Sequence, residues 1–123
     1  MNQIVDSKRQ GYWEYYHDNG NLWSKGNYIN DLKDGYWERY YENGNLLFKC
    51  NYKNDIQNGY CETYYSNGNL HYKGNYKNDI QDGYWEWYHN GNLHYKGNYI
   101  NGIKEGYWEW YHNGKLRTQE FFL

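Results

Sequence analysis

The sequence lacks two residue types altogether and is poor in several others. Its 123 residues include no proline and no alanine, one methionine and two cysteines, and Leu, Ile, Val and Phe together fill only 18 positions. A chain without alanine is a poor candidate for a helical bundle, because alanine is the best helix former. No segment is apolar enough to span a membrane, and residues 1–10 lack the apolar core of a signal peptide. These absences predict an intracellular protein.

The sequence also lacks an excess of charge of either sign. Lys and Arg number 13 and Asp and Glu number 15, which gives a net charge of -2. Nucleic-acid binders usually carry a clear basic patch, and attraction to anionic lipid needs a cluster of cations. Neither nucleic acid nor membrane lipid is therefore expected as a partner.

Aromatic residues are abundant where aliphatic ones are scarce. The chain has 19 Tyr, 7 Trp and 3 Phe, which together make up 24% of the sequence, and it also has 14 Gly. Aromatic residues favour strands. The composition therefore favours an all-β fold whose apolar area comes from rings.

The chain is built from an internal repeat. Five segments read GYWEYYHDNGNL, GYWERYYENGNL, GYCETYYSNGNL, GYWEWYHNGNL and GYWEWYHNGKL, and they start 24, 24, 24 and 23 residues apart, at Gly11, Gly35, Gly59, Gly83 and Gly106. Self-similarity at this period is the signature of repeat architectures. We expect one repeat domain over residues 1–123, with residues 1–10 as an N-terminal cap and residues 117–123 as a C-terminal cap.

Each repeat predicts two strands separated by tight turns. Asn and Gly mark the turns because both tolerate positive φ. About ten strands would form an elongated, twisted, single-layer antiparallel sheet of five stacked hairpins. If Asn19 and Gly20 form a two-residue turn, Glu14 lies opposite Lys25 and Trp13 opposite Gly26. The tryptophan side would be the more buried face. The last two repeats are one residue shorter, and a loop must absorb this deletion, because a one-residue slip in strand register would exchange the two faces.

The pattern G-Y-W-E-x-Y-x-x-N-G-x-L, followed by K-G-N-Y-x-N-D/G, resembles the MORN repeat. It fits best the variant with Trp after the opening Gly, which is common in bacterial and large-virus proteins and is sometimes described as an antitoxin module. The resemblance covers residues 11–116. It implies a sheet of stacked hairpins and a non-enzymatic module for protein interaction or scaffolding, sometimes homodimeric, with lipid binding reported for some relatives.

Rings that one sheet layer leaves exposed are the best candidates for a binding surface. The densest cluster lies in repeats four and five: Trp85, Trp87, Tyr88, Trp108, Trp110 and Tyr111. The same rings could instead pack on one another as a distributed core. The two sheet edges, near Tyr12 and over residues 116–122, invite pairing with another chain, and Phe121, Phe122 and Leu123 either cap the last hairpin or dock on a partner.

Two cysteines depart from the repeat pattern. Cys50 stands where other copies have Gly, and Cys61 stands where they have Trp. Both lie on one face of consecutive strands, so we interpret them as a compensated packing pair. A disulfide between them is geometrically feasible but depends on the compartment. Without an export signal, reduced thiols are favoured.

Carboxylates and histidines recur at fixed positions in the repeats. The five repeated glutamates face lysines in four copies and are interpreted as solvated cross-strand pairs. Neighbouring copies of one histidine position lie about 10 Å apart, too far to share one metal ion. No catalytic constellation or phosphate-binding loop is present. No enzyme activity, metal or cofactor is therefore expected.

The sequence thus predicts a non-enzymatic scaffold that binds protein through its aromatic face or its sheet edges, with a homodimer as the expected oligomer. The alternative is a carbohydrate- or choline-binding repeat module, because aromatic hairpins also build such proteins. Association with a membrane surface, or with an antitoxin-type partner, is the weaker alternative.

Overall fold

A computed structural model of the chain describes residues 2–123 and consists, over those residues, of one open sheet without helices. Its strands are β1 (Gln3–Val5), β2 (Lys8–Tyr16), β3 (Leu22–Ile29), β4 (Leu32–Tyr40), β5 (Leu46–Lys53), β6 (Ile56–Tyr64), β7 (Leu70–Lys77), β8 (Ile80–His89), β9 (Asn92–Ile100), β10 (Ile103–His112) and β11 (Lys115–Phe122). They lie side by side in chain order as an 11-stranded antiparallel sheet. The predicted all-β, single-layer fold is confirmed. The strand count is one higher than expected because β1 pairs with β2, so β1 and not the strand of Tyr12 is the N-terminal edge.

The turns between repeats are tight and use the predicted residues. Asn30 and Asp31 have φ values of 49° and 71°, and the Asn-Asp pairs at 54–55 and 78–79 are alike. Two consecutive residues with positive φ are typical of the type I′ turn, whose twist matches that of the flanking strands.

The turns within the first three repeats differ from the two-residue turn predicted at Asn19 and Gly20. The chain there forms a longer loop between β2 and β3, closed by a hydrogen bond from the His17 N–H to the Asn21 carbonyl, 2.8 Å. A bulge near Tyr15 compensates, so Glu14 still pairs with Lys25 and Trp13 with Gly26, as predicted. In repeats four and five the loop shortens to tight Asn-Gly turns at 90–91 and 113–114. The missing residue is thus absorbed without exchanging the faces.

Each buried tryptophan covers a glycine of the preceding repeat. Trp13 pairs with Gly26 in the same hairpin, but the ring closest to this glycine is a different one. The ring over Gly26 is Trp37, from the next repeat, and a Cβ on Gly26 would lie 2.3 Å from this indole. The same contact joins Trp85 to Gly74 and Trp108 to Gly97. The three indoles are at most 1% exposed, so this inter-repeat contact forms the core.

A hydrogen bond fixes each of these indoles. The Nε1–H of Trp37 donates to the carbonyl of Asn27 at 3.0 Å, and Trp85 and Trp108 donate to Asn75 and Asn98 at 3.0 and 3.1 Å. A buried indole N–H needs such an acceptor. We call this combination of ring, glycine and carbonyl the indole staple. Trp13 has no preceding repeat, and its Nε1–H donates at 3.2 Å to both the Gln3 carbonyl of β1 and the Gln10 carbonyl of β2.

The staple gives a sharp test of what holds the repeats together. We expect Gly74→Ala to destabilise the fold by about 1–3 kcal/mol, because the new Cβ would overlap the Trp85 indole. In a Trp85→Ala background the same change should be neutral or stabilising by about 0.5 kcal/mol, since glycine is otherwise unfavourable within a strand. Urea unfolding of the four proteins measures this coupling. Equal costs of Gly74→Ala in both backgrounds would show that the staple does not link the repeats.

Candidate functional surface

The sheet has two faces of different chemistry. The ring face carries the buried tryptophans and the tyrosines beside them. The carboxylate face carries the repeated glutamates Glu14, Glu38, Glu62, Glu86 and Glu109. With no second layer, each face is covered only by its own side chains.

The structure divides the predicted six-residue aromatic cluster into three groups. Trp85 and Trp108 are fully buried, 0% exposed, because each covers a glycine. Neither indole is therefore accessible to a partner on this surface. The sequence does not show which tryptophan covers which glycine. The burial of Trp85 and Trp108, but not of Trp87 and Trp110, could therefore not be predicted.

Tyr88 and Tyr111 lie on the other side of the sheet. The Tyr88 hydroxyl donates to Glu86 at 2.8 Å, and Lys96, which pairs with Glu109, lies 5.7 Å from the Tyr111 ring. Both tyrosines therefore belong to the carboxylate face. The predicted cluster is not one continuous surface.

Within the predicted cluster, the accessible rings on the ring face are Trp87 and Trp110, which are half-buried. Trp87 stacks on Tyr95 with centroids 4.7 Å apart and planes 17° apart, and it lies 5.5 Å from Trp85. Trp110 lies 6.3 Å from Trp108. The buried indoles of Trp85 and Trp108 thus support the rings of Trp87 and Trp110 and limit their orientation.

A groove of about 480 Å³ runs beside Trp87 and Tyr95. His71 stacks on Tyr65 at 4.2 Å along its wall, and burial lowers the pKa of His71. A lower pKa keeps this imidazole neutral at physiological pH, so it acts as an aromatic surface. Residues 2–123 contain no group of three or more His, Cys, Asp or Glu side chains placed to hold a metal ion.

The cysteines replace the staple between repeats two and three. Cys50 and Cys61 pair directly across β5 and β6 with Cα atoms 4.1 Å apart, and both are 2% exposed. Their packing together is as predicted. Their sulfurs form a disulfide, which departs from the expectation of reduced thiols: the cross-strand pairing brings the sulfurs together whatever the compartment.

The C-terminal residues lie on different sides of the last strand. Phe122 packs against Trp108 on the ring face with centroids 6.4 Å apart, and Phe121 packs against Tyr107 on the carboxylate face at 4.9 Å. Leu123 is fully exposed. Glu120 pairs with Trp108 at the position where other repeats have glycine or Cys50. No further indole staple can form on β11 without displacing Glu120.

The glutamates of the carboxylate face bind tyrosines as well as lysines. Glu62 accepts hydrogen bonds from Tyr60 and Tyr64, at 2.9 and 3.1 Å. Ion pairs join Lys73 to Glu86 at 3.3 Å and Lys96 to Glu109 at 3.7 Å, and both connect neighbouring repeats. The sequence predicts the cross-strand lysines, and alternation puts the tyrosines on the same face as the glutamates. The hydrogen bonds from these tyrosines to the glutamates were not predicted.

These contacts shift ionisation on the carboxylate face. Burial, followed by the hydrogen bond to Glu86, raises the pKa of Tyr88 to about 12. Burial alone would raise the pKa of Glu86, but hydrogen bonds from Tyr84, Tyr88 and Lys73 outweigh it and hold this pKa below its ordinary value. The pair therefore stays as phenol and carboxylate at neutral pH.

Sequence reasoning also missed a basic cluster on the ring face of repeats one and two, formed by Arg9, Lys33 and Arg39. Arg39 occupies a position that is Tyr, Thr or Trp in the other repeats. Arg9 and Lys33 stand two residues before the opening glycine, where repeats three and four have Gln. Comparing copies position by position could have found this cluster, whereas the net charge of the whole chain does not reveal it.

Comparison with known protein families places the chain in one of them. A family model described as a MORN repeat variant matches residues 9–30, 33–54, 57–78 and 81–101, well over half of the chain. The chain therefore belongs to the MORN repeat variant family, as the resemblance predicted. MORN repeats are a non-enzymatic module, generally of protein or membrane interaction. A search among curated proteins returned no match.

The family match and the structure differ at the last repeat. The predicted fifth repeat, from Gly106, lies outside the matched segments, although β10 and β11 form its hairpin. The cap assignments and the bacterial, viral or antitoxin association stay predictions. The described residues contain no helix with the length and apolarity needed to cross a bilayer.

The cysteine junction can be converted to a staple. We expect Cys61→Trp alone to destabilise the protein by about 1–3 kcal/mol, because the indole would meet the Cys50 side chain. Adding Cys50→Gly should recover most of that loss by recreating the geometry of Trp85 over Gly74. Urea unfolding under reducing conditions, with the double cysteine-to-alanine variant as the reference, measures the coupling. Additive effects would contradict the compensated pair.

High pH should weaken the fold. The pKa of Tyr12 and of Tyr88 is about 12 in the folded chain, against 10.0 for a free phenol. The folded state therefore holds more protons than the unfolded state above pH 10, and the stabilisation present below pH 10 is lost as pH rises towards about 12. The urea midpoint should fall across this window while the tyrosinate absorbance rises. A midpoint constant up to pH 12 would contradict the burial and hydrogen bonding of these phenols.

Proposed function

We propose that this protein is a non-enzymatic interaction module that binds another protein through the accessible rings of its ring face. The observation that supports this most is the pair Trp87 and Trp110, held half-exposed on a base of fully buried indoles. Rigid, partly exposed tryptophans are typical binding hot spots, because they offer much apolar area at small entropic cost. The groove beside Trp87 and Tyr95 adds concavity.

A homodimer is part of this proposal. The strands β1 and β11 each have one neighbour in the sheet, and unpaired strand edges are common sites of chain pairing. On β11, Leu116 and Phe121 are 55% and 54% exposed, which gives this edge apolar area for a second copy.

The intracellular setting also stays a proposal. A bonded cysteine pair is more typical of an oxidising compartment, so the redox state of Cys50 and Cys61 tests this setting. Thiol trapping of freshly lysed native material distinguishes the two settings.

The test compares one residue on each face. We expect Trp110→Ser to weaken capture of the partner by at least about tenfold, as loss of a hot-spot ring does. Tyr36→Ser on the carboxylate face, where the ring is 49% exposed, is the matched control and should leave capture unchanged. The readout is quantitative mass spectrometry of affinity captures from the native host, with thermal melts to verify folding.

Several outcomes would contradict the proposal. Equal capture by both variants would exclude the ring face as the site. Saturable binding on a glycan array, or a tryptophan fluorescence response to choline, would favour the carbohydrate or choline alternative. Co-sedimentation with anionic liposomes would favour membrane association. Light scattering that gives only the 15.2 kDa monomer at all concentrations would exclude the homodimer.

A further inference from the structure

A basic, ring-walled pocket of about 360 Å³ opens on the ring face between repeats one and two. It lies at the opposite end of the sheet from Trp87 and Trp110. Its charged lining residues are Arg9, Lys33, Arg39 and Asp55, and its walls are Tyr15, Trp23, Ser24, Tyr28 and Trp37.

The cations of this pocket are held in place by aromatic rings. The Arg39 guanidinium lies 4.7 Å from the Trp23 ring and 5.3 Å from the Phe48 ring. The Lys33 ammonium lies 5.1 Å from Trp37 and 5.0 Å from Tyr52. Cation–π contacts orient a cation without neutralising its charge, so both charges remain free for a ligand.

One polar group in the pocket has no partner. The Arg39 Nε is buried and makes no hydrogen bond with any described residue. An unsatisfied buried donor is costly, and more so on a charged group. Arg39 and Lys33 also repel each other, and burial followed by this repulsion lowers the pKa of Lys33. An anion would relieve both costs at once.

The charge balance defines the kind of anion. Arg9 is already neutralised by Asp31, its ion-pair partner at 2.6 Å. Lys33 and Arg39 then face the single carboxylate of Asp55, which leaves one positive charge in excess. One excess charge matches a carboxylate better than a phosphate dianion, and the ring walls favour an apolar group next to it.

We propose that this pocket binds the carboxylate of an Asp or Glu side chain, flanked by an apolar residue, on a peptide segment of the protein partner. The carboxylate accepts the Nε–H of Arg39 and pairs with the Lys33 ammonium. The flanking side chain lies against Trp23 and Tyr15. This inference rests on the proposed protein-binding function and adds the chemistry of the partner's anchor.

The test uses two capped peptides, Gly-Phe-Glu-Phe-Gly and its neutral counterpart Gly-Phe-Gln-Phe-Gly. Nuclear magnetic resonance follows the Arg39 Nε–H signal directly. We expect the Glu peptide to shift this signal and slow its exchange with water, and to bind at least about tenfold more tightly than the Gln peptide, as loss of a charge-assisted hydrogen bond predicts. High salt should weaken its binding.

Three variants identify the site. Arg39→Gln should lose about tenfold in affinity for the Glu peptide, and Lys25→Gln, which removes a lysine of the carboxylate face, should lose none. Arg39→Gln removes two ring contacts, so Asp55→Asn provides a variant with a near-normal fold. It keeps the oxygen that accepts the Lys33 backbone N–H and removes the opposing charge, so binding should tighten several-fold.

Equal binding of both peptides, an unmoved Arg39 Nε–H signal, or tighter binding of inorganic phosphate or of phosphatidylserine vesicles would overturn the carboxylate anchor. Capture of the native partner separates this failure from that of the proposed function. If capture depends on Trp110 and not on Arg39 or Asp55, the protein-binding function stands and the anchor is wrong. If neither the Trp110 variant nor the Arg39 and Asp55 variants change capture, the protein-binding function and the carboxylate anchor are both wrong.

Discussion

The contact between an indole and the glycine of the repeat before it determines how this sheet holds together. A single layer has no second sheet or helix to bury its apolar side chains, so each hairpin must find its core on its neighbour. The tryptophan does so by lying over a residue without a side chain and by donating its N–H to the next carbonyl. Large rings, abundant glycine and few aliphatic residues are what this contact requires, and the absence of proline keeps the ladder N–H groups available.

Much of the fold could be predicted from the sequence, because the same structural unit occurs in it five times. The period, the Asn-Gly and Asn-Asp punctuation and the alternation of Tyr-Glu-Tyr with Trp were enough for the sheet, its order and the pairing of Glu14 with Lys25. The position of the Trp37 ring over Gly26 was not predicted. The contact follows from the pairing of β3 with β4, where Lys25 lies opposite Glu38 and a bulge follows, and this pairing between repeats was not worked out from the sequence.

The candidate site was harder to predict for the same reason. Nearness in sequence suggested one patch of tryptophans and tyrosines, but burial removes Trp85 and Trp108, and strand alternation moves Tyr88 and Tyr111 to the other face. The basic pocket escaped notice because composition averages over the chain: a net charge of -2 conceals three cations that the sheet gathers on one face. Function on such a repeat depends on the positions where a copy differs from its neighbours, as Arg39 does.

The cysteine pair has a consequence for how the molecule opens. Repeat arrays behave as one-dimensional lattices in which each unit is stabilised mainly by its nearest neighbours, so unfolding starts at the ends and moves inward. Cys50 and Cys61 lie near the middle of this lattice, where the disulfide forms a covalent rung between β5 and β6. Fraying from either end meets that rung before it can reach the other half, so the basic pocket and the exposed tryptophans lie on opposite sides of a covalent link.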